Sequence, residues 1–118
     1  MTETAAEDAK LVTLARGARL RAYAPHSEIA EGAAVRDTDG RTYAAATVEN
    51  ADPGLTTSAL RAAVVAAASS GARSFEAAAV VTEGALSDAD LAVLTEFGVG
   101  TPVLVAGSDG IVRDTRHS

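Results

Sequence analysis

Few side chains in this sequence could carry nucleophilic or acid–base chemistry. The chain has two histidines and no cysteine, which excludes disulfides, thiolate catalysis and any zinc site built on sulfur. His26 lies in a predicted loop and His117 in a predicted tail, so a Ser-His-Asp triad has weak support. No Walker loop is present, and Val103 stands where a dinucleotide fingerprint beginning at Gly98 and Gly100 needs its third glycine.

The remaining polar candidates lie in a loop and at two predicted helix starts. Glu49, in the stretch Thr47-Val48-Glu49-Asn50-Ala51, could act on a ligand or organise its own loop. Ser58 and Ser87 are suited to N-cap positions, and Asp90 follows Ser87 by three residues as in a capping box. An enzyme that uses Glu49 or Asp90 as a general base remains an alternative, although no constellation of residues supports it.

Apolar periodicity predicts an alternation of helices and strands along the whole chain. A mixed set of this kind is typical of a three-layer α/β domain with a mixed sheet. We expect one domain over residues 1–118, with disordered tails at 1–5 and 114–118, and a hairpin turn from Asp37 to Gly40. The predicted helices are 6–22, 59–70 and 87–97, and the predicted strands are 29–36, 41–48, 75–82, 102–106 and 111–113.

Composition limits the classes of partner. The formal net charge is −6 and only four residues are Tyr or Phe, which argues against nucleic-acid binding because that requires a basic face or stacking aromatics. No apolar run approaches the roughly 20 residues of a membrane span, and residues 1–10 are acidic rather than signal-like. We therefore expect a cytoplasmic protein without a membrane or nucleic-acid partner.

The predicted helix at 59–70 has hardly any polar face. Alanine, valine and leucine surround it, and a helix of this type is normally buried on all sides. In a single domain of 118 residues, one side of such a helix would be exposed to solvent. This pattern predicts a homo-oligomer.

Four stretches of the sequence are similar, in order and spacing, to one family. They are Ala22-Tyr23-Ala24-Pro25-His26-Ser27, Gly32-Ala33-Ala34, Asp39-Gly40 and Thr47-Val48-Glu49-Asn50-Ala51. The chain thereby resembles the small homotetrameric cytidine deaminases, which typically read A-Y-A-P-Y-S, V-G-A-A, a D-G turn and N-x-E-N-A. The resemblance covers roughly residues 10 to 113 and implies the three-layer α/β/α cytidine deaminase-like fold with a mixed central sheet. It also implies self-association, with a tetramer favoured over a dimer.

The resemblance also implies a site, and this sequence departs from it. The family's C-A-E and P-C-x-x-C motifs supply three zinc thiolates and a proton-shuttling glutamate. The matching thiolate positions hold Ser58, Ser87 and Asp90, and the glutamate position holds Leu60. The residues that match the family's sugar-binding and pocket positions are Glu49, Thr47 in place of asparagine, and Ile29 near the pocket phenylalanine.

These replacements favour a site that has been repacked for stability, with Leu60 in the core. From them we predict no metal, no cofactor and no catalysis. The predicted function is that of a non-catalytic cytidine deaminase-like protein with an assembly or interaction role. Two alternatives stay open: a small-molecule binder whose residual pocket holds a nucleoside weakly through Glu49, and a divergent hydrolase or deaminase of unknown substrate.

Overall fold

A computed structural model describes residues 5–118, so residues 1–4 of the expected N-terminal tail lie outside it. None of the helices in this described part is long and apolar enough to cross a membrane. The elements in chain order are α1 (Ala6–Arg19), β1 (Gly32–Asp37), β2 (Thr42–Ala46), a short 3-10 helix (Pro53–Leu55), α2 (Ala59–Ser69), β3 (Phe75–Val81), α3 (Asp88–Thr95), β4 (Pro102–Ala106) and β5 (Val112–His117).

The five strands form one mixed sheet in the order β2-β1-β3-β4-β5. Strands β3 and β4 are parallel, and the other neighbours are antiparallel. Helix α1 covers one face, where Leu11 and Ala15 pack with Ala34, and α2 and α3 cover the other, where Leu60 packs with Val35. The predicted three-layer α/β/α fold with a mixed sheet is confirmed.

The start of β1 lies directly against α1. A Cβ atom built on Gly32 would stand 2.0 Å from the carbonyl oxygen of Ala15 and 2.4 Å from the amide nitrogen of Arg19. Only glycine allows two backbones to approach this closely. Gly32 therefore sets the distance between the helix and the residues that lead into β1.

The turn between β1 and β2 follows the sequence prediction. The Asp37 carboxylate accepts hydrogen bonds from the backbone N–H groups of Asp39 and Arg41, at 3.0 and 2.9 Å. Gly40 adopts φ = 86°, which is a conformation that favours glycine. The Asp37 carboxylate thus stabilises the turn through its hydrogen bonds to the backbone.

Helix α2 is buried on one side only. Its buried residues are Ala59, Leu60, Ala63, Val64 and Ala67, whereas Val65 is 59% exposed. The expectation of burial on all sides is therefore not met within a single chain. Gly71, with φ = 111°, follows the helix end as expected.

The prediction of a disordered tail from residue 114 is wrong. Residues Val112–His117 form β5 and pair with β4. The Arg113 guanidinium donates to the carbonyls of Thr82 and Gly84, both at 2.8 Å. Arg116 donates to the carbonyl of Leu86 at 3.2 Å. Hydrogen bonds from its arginine side chains and from pairing with β4 hold this edge strand in place. Its sequence lacks the apolar alternation that predicts a strand, and for this reason a disordered tail was expected.

Candidate functional site

The starts of α2 and α3 meet at the three positions where the resemblance places metal ligands. The Ser58 hydroxyl donates to Asp90 Oδ1 at 2.8 Å, and Asp90 N–H donates to Ser87 Oγ at 3.2 Å. Ser87 thus caps α3 as predicted. Ser58 occupies the N-cap position of α2, but its hydroxyl links the two helices instead of capping. The structure therefore brings Ser58, Ser87 and Asp90 into one hydrogen-bonded cluster.

Leu60 is the second residue of α2 and is 1% exposed. It belongs to the apolar cluster formed by α2, α3 and the sheet. The prediction that Leu60 is a core residue is confirmed. A carboxylate at this position would be surrounded by apolar side chains.

Glu49 organises the loop that follows α1. Its Oε1 accepts from the N–H groups of His26 and Ser27, at 2.8 and 3.1 Å, and its Oε2 accepts from the Ser27 hydroxyl. These hydrogen bonds, with the Ser27 hydroxyl foremost, hold the pKa of Glu49 below its usual range. Glu49 is therefore an anion at neutral pH.

A surface cavity of about 370 Å³ opens beside this carboxylate. Asn50 shapes its rim, since Asn50 N–H donates to Thr56 Oγ1 and Asn50 Oδ1 accepts from Asp52 N–H, at 3.0 and 2.9 Å. The cavity offers hydroxyl, carboxylate and amide groups to a polar ligand. It is lined by His26, Ser27, Glu49, Asn50, Ala51, Pro53 and Thr56.

Thr47 and Ile29 lie on neighbouring segments of backbone. Thr47 N–H donates to the Glu31 carbonyl at 3.0 Å, and Ile29 N–H donates to Ser27 Oγ at 3.1 Å. The Thr47 hydroxyl is buried and finds no hydrogen-bond partner within residues 5–118. Ile29 is half exposed. Thr47 thus keeps a free hydrogen-bonding group next to the loop that Glu49 holds.

The sequence analysis missed Glu31. Its Oε2 accepts from the Thr82 hydroxyl at 2.7 Å. Burial raises the pKa of Glu31, the hydrogen bond from the Thr82 hydroxyl lowers it, and the charge of Asp90 raises it further. One signal was available, because Glu31 precedes Gly32-Ala33-Ala34 where the family motif reads V-G-A-A.

Comparison with known proteins decides the family. A family model described as cytidine deaminase-like matches residues 4–110. The chain belongs to the cytidine deaminase-like family. It is 38% identical over 111 residues to a cytidine deaminase of Sporosarcina psychrophila, an alignment that covers 90% of this chain and 82% of the relative.

Solved structures of the family share the fold. A cytidine deaminase from Burkholderia pseudomallei is 35% identical with a TM-score of 0.82, over 92% of this chain and 89% of that one. A cytidine deaminase from Mycobacterium tuberculosis is 34% identical with a TM-score of 0.74, over 81% and 80% of the two chains. The cytidine deaminase-like fold is thereby shown by sequence and by structure.

These relatives overturn the prediction of a non-catalytic protein with an assembly role. The matched proteins are named as enzymes, at 35–38% identity over most of this chain. The expectation of a family member without zinc is overturned on the same ground, since the nucleobase deaminases of this type work through a zinc-bound water.

The donor set of this chain does not fit the zinc site of the cytidine deaminase-like family. The chain has no cysteine, and residues 5–118 contain no cluster of three histidine, aspartate or glutamate side chains. Asp90 is a carboxylate of a type that zinc accepts, but Ser58 and Ser87 offer neutral hydroxyls, and these are not among the ligands of tetrahedral zinc sites. These donors therefore assign no step to a metal ion.

Proposed function

We propose that this chain is a hydrolytic deaminase of cytidine or a closely related pyrimidine nucleoside. The observation that carries the proposal is the 35–38% identity, over most of the chain, to proteins named as cytidine deaminases. The polar cavity beside Glu49 supports it, because this cavity lies on the segment that resembles the family's sugar-binding motif.

Glu49 would receive the sugar hydroxyls of the nucleoside. Each carboxylate oxygen has two lone pairs, and Glu49 Oε2 accepts from the Ser27 hydroxyl alone among the described residues. One acceptor position therefore remains for a sugar O–H. The Thr47 hydroxyl is buried without a partner in residues 5–118 and precedes Glu49 by two residues, which makes it our candidate for a second contact once a ligand enters.

Ile29 would contact the face of the base. Its side chain is half exposed, and its Cγ2 lies 3.4 Å from the position that a Cβ of Gly84 would occupy. An aliphatic side chain contributes apolar contact without the stacking that an aromatic residue provides. We therefore expect weaker binding of the base than in relatives with phenylalanine at this position.

A direct assay tests the proposed function. Purified protein would be incubated with cytidine, and the conversion to uridine followed by absorbance and by ammonia release. We expect turnover that follows the protein through every column and is lower in Glu49→Ala. Protein that is fully folded by circular dichroism and leaves cytidine unchanged, with and without added zinc, would refute the proposal.

A measurement of uridine affinity compares Glu49→Ala with wild type and with a control variant. Removing a hydrogen bond to a charged group costs about 1.5–3 kcal/mol, so Glu49→Ala should weaken uridine binding about tenfold to a hundredfold. Glu96→Gln is the control, because Glu96 is an exposed carboxylate at the end of α3, away from the cavity-lining residues. Equal affinity of Glu49→Ala and wild type would place the sugar elsewhere.

Self-association and location belong to the same proposal. We propose a homo-oligomer, with a tetramer favoured over a dimer, because α2 presents Val65 and neighbouring small residues outward. A second copy would cover this face and close a symmetric assembly. We also propose a cytoplasmic location, which cell fractionation tests.

A further inference from the structure

We propose that this protein has a phosphate-binding site on α1, formed by Arg16 and Arg19. The site lies on the face of the sheet opposite α2 and α3, and it shares no lining residue with the cavity beside Glu49. Its ligand is a small soluble phosphate monoester, because a dianionic phosphate group matches the charge and the donor geometry of two guanidinium groups.

A surface cavity of about 420 Å³ lies against the last two turns of α1. Each charged residue that lines it is an arginine, and no carboxylate of residues 5–118 lines it, although the chain has a formal net charge of −6. A cavity of this size accommodates a small molecule. The lining residues are Thr13, Arg16, Gly17, Arg19, Leu20 and Ser108.

Both arginines are oriented through the same side-chain atom. Arg16 Nε donates to the Ser108 carbonyl at 2.9 Å, and Arg19 Nε donates to the Ala30 carbonyl at 3.0 Å. The two terminal NH₂ groups of each guanidinium have no hydrogen-bond partner within residues 5–118. Terminal groups of this kind bind phosphate oxygens in pairs, so the cavity offers oriented donors that the fold itself does not use.

Gly17 lies between the two arginines and also lines the cavity. A Cβ atom built on Gly17 meets nothing within 4 Å in the described residues, so packing does not require glycine here. Glycine destabilises a helix interior relative to alanine. The helix C-terminus favours cations, which accounts for arginine in this turn but not for glycine. The missing side chain leaves the space between the guanidinium groups open to a ligand.

The carboxylates closest in structure to this turn are occupied by the backbone. Glu83 Oε2 accepts from Ser108 N–H at 2.7 Å, and Asp109 Oδ1 accepts from Ile111 N–H at 2.9 Å. Neither of these side chains lines the arginine cavity. A phosphate group that enters the cavity therefore meets the terminal donors of two arginines and no acidic lining residue.

The surroundings favour a small soluble ester over an anionic membrane surface. The net charge of −6 repels a surface of negative lipids as a whole, whereas a single small anion responds to the arginines next to it. Leu20, at 83% exposure, lies at the cavity. Its side chain provides apolar contact for the organic part of a phosphate monoester.

Thermal unfolding and arginine NMR test this site with inorganic phosphate as the probe. The full-length protein would be titrated at constant ionic strength to about 10 mM phosphate, about ten times a Kd of 1 mM. We expect Tm to rise with phosphate concentration, because a ligand of the folded state stabilises it. In ¹⁵N-arginine-labelled protein, the Nε–Hε resonances of Arg16 and Arg19, assigned by their loss in variants, should shift.

Variants locate the binding. Arg16→Gln and Arg19→Gln should each lower phosphate affinity about tenfold or more, since each removes hydrogen bonds to a charged group. The control Arg41→Gln removes the same charge from an exposed residue between β1 and β2, and screening should keep its affinity within about twofold.

Gly17→Leu separates ligand binding from the stability of the helix. Leucine has a higher helix propensity than glycine, so Tm without phosphate should not fall. The new side chain occupies the space between the guanidinium groups, so the phosphate-dependent rise in Tm should be lost.

Each outcome decides the proposal. Binding that is lost in Arg16→Gln, Arg19→Gln and Gly17→Leu but kept in Arg41→Gln supports it, as does binding of glycerol 3-phosphate at least as tight as that of inorganic phosphate. A wild type whose Tm and arginine resonances ignore phosphate overturns it. Equal effects in all variants, equal effects of acetate, or exclusion of glycerol 3-phosphate overturn it as well.

Discussion

At the starts of α2 and α3, serine and aspartate occupy positions that resemble the family's cysteine positions. Their hydrogen bonds indicate a structural role. The Ser58–Asp90 hydrogen bond ties the two helices together, and Ser87 caps α3. Leu60, two residues after Ser58, fills apolar space, and the Glu31 carboxyl group, from the segment before β1, accepts from the Thr82 hydroxyl. At the scale of single residues, the site consists of hydrogen-bonded hydroxyl and carboxyl groups that lie beside a buried apolar cluster.

Leu60→Glu should destabilise the fold strongly. The new carboxylate would be buried without a partner in the apolar cluster, and an uncompensated buried charge costs about 3–5 kcal/mol. Leu60→Met is the control, since a volume-conserving apolar exchange costs under about 1.5 kcal/mol. Chemical denaturation measures both, and an unchanged midpoint for Leu60→Glu would contradict the burial of this side chain.

Glu31→Gln should change how stability depends on pH. The pKa of Glu31 is raised in the folded state, so folded protein binds this proton more tightly than unfolded protein does. The wild type therefore loses stability as pH rises from the unfolded pKa of 4.5 through the folded pKa. Glu31→Gln lacks this loss, and its advantage should vanish below the unfolded pKa.

Denaturation at a series of pH values measures the difference between Glu31→Gln and wild type. Taking this difference cancels the opposite contribution of Glu49, whose pKa is lowered in the folded protein. A difference that stays constant between acidic and neutral pH would show that the Glu31 carboxyl group is not perturbed by folding.

At the scale of elements, α1 is held to the sheet by close approach and by charge. Gly32 allows backbone contact between α1 and β1. Arg36 on β1 bonds to Glu76 on β3 at 2.8 Å and to Asp8 on α1 at 3.1 Å. Because Glu31 directly precedes Gly32, the same contact helps to position the Glu31 carboxyl group beside Thr82.

Gly32→Ala should destabilise the protein and disturb the site. The added methyl would stand 2.0 Å from the Ala15 carbonyl, and overpacking of this kind costs about 1–3 kcal/mol or more. Gly17→Ala is the matched control on α1, because a Cβ there meets nothing within 4 Å in the described residues. Alanine should stabilise that position by about 0.5–1 kcal/mol.

Thermal unfolding distinguishes the two glycine substitutions by sign. If Gly32→Ala melts at or above the wild-type temperature, α1 moves away from β1 at little cost, and the close approach does not constrain the fold.

At the scale of the whole molecule, the exposed side of α2 is the feature that one chain leaves unpartnered. Val65 is 59% exposed on a helix composed almost entirely of apolar residues. Apolar surface of this kind is commonly covered by another subunit. The proposed homo-oligomer would use this face.

Val65→Glu should weaken the assembly and leave the isolated fold intact. A charge on an apolar interface resists burial, so light scattering after size exclusion should show a smaller mass for the variant than for wild type. Val99→Glu is the control, because Val99 is also exposed, at 86%, but lies in the loop between α3 and β4. A wild-type mass equal to one chain at micromolar concentration would refute the oligomer.

Local patterns in the sequence were sufficient for most of the framework. Helices α2 and α3, strand β4 and the Asp37–Gly40 turn follow from apolar spacing, capping residues and glycine, because these signals act between residues that are close in sequence. The order and spacing of four short motifs also indicated the family, because each motif consists of residues that are adjacent in the sequence. Leu60 could be assigned to the core because its helix has a strongly apolar sequence.

Contacts between distant segments decided the rest. Strand β5 is polar, and its arginines find their partners in the segment after β3. Glu31 became a candidate only when folding placed Thr82 and Asp90 beside it, 51 and 59 residues away in the sequence. Burial and hydrogen bonding of a carboxyl group depend on such neighbours, so its chemistry is determined by the tertiary structure.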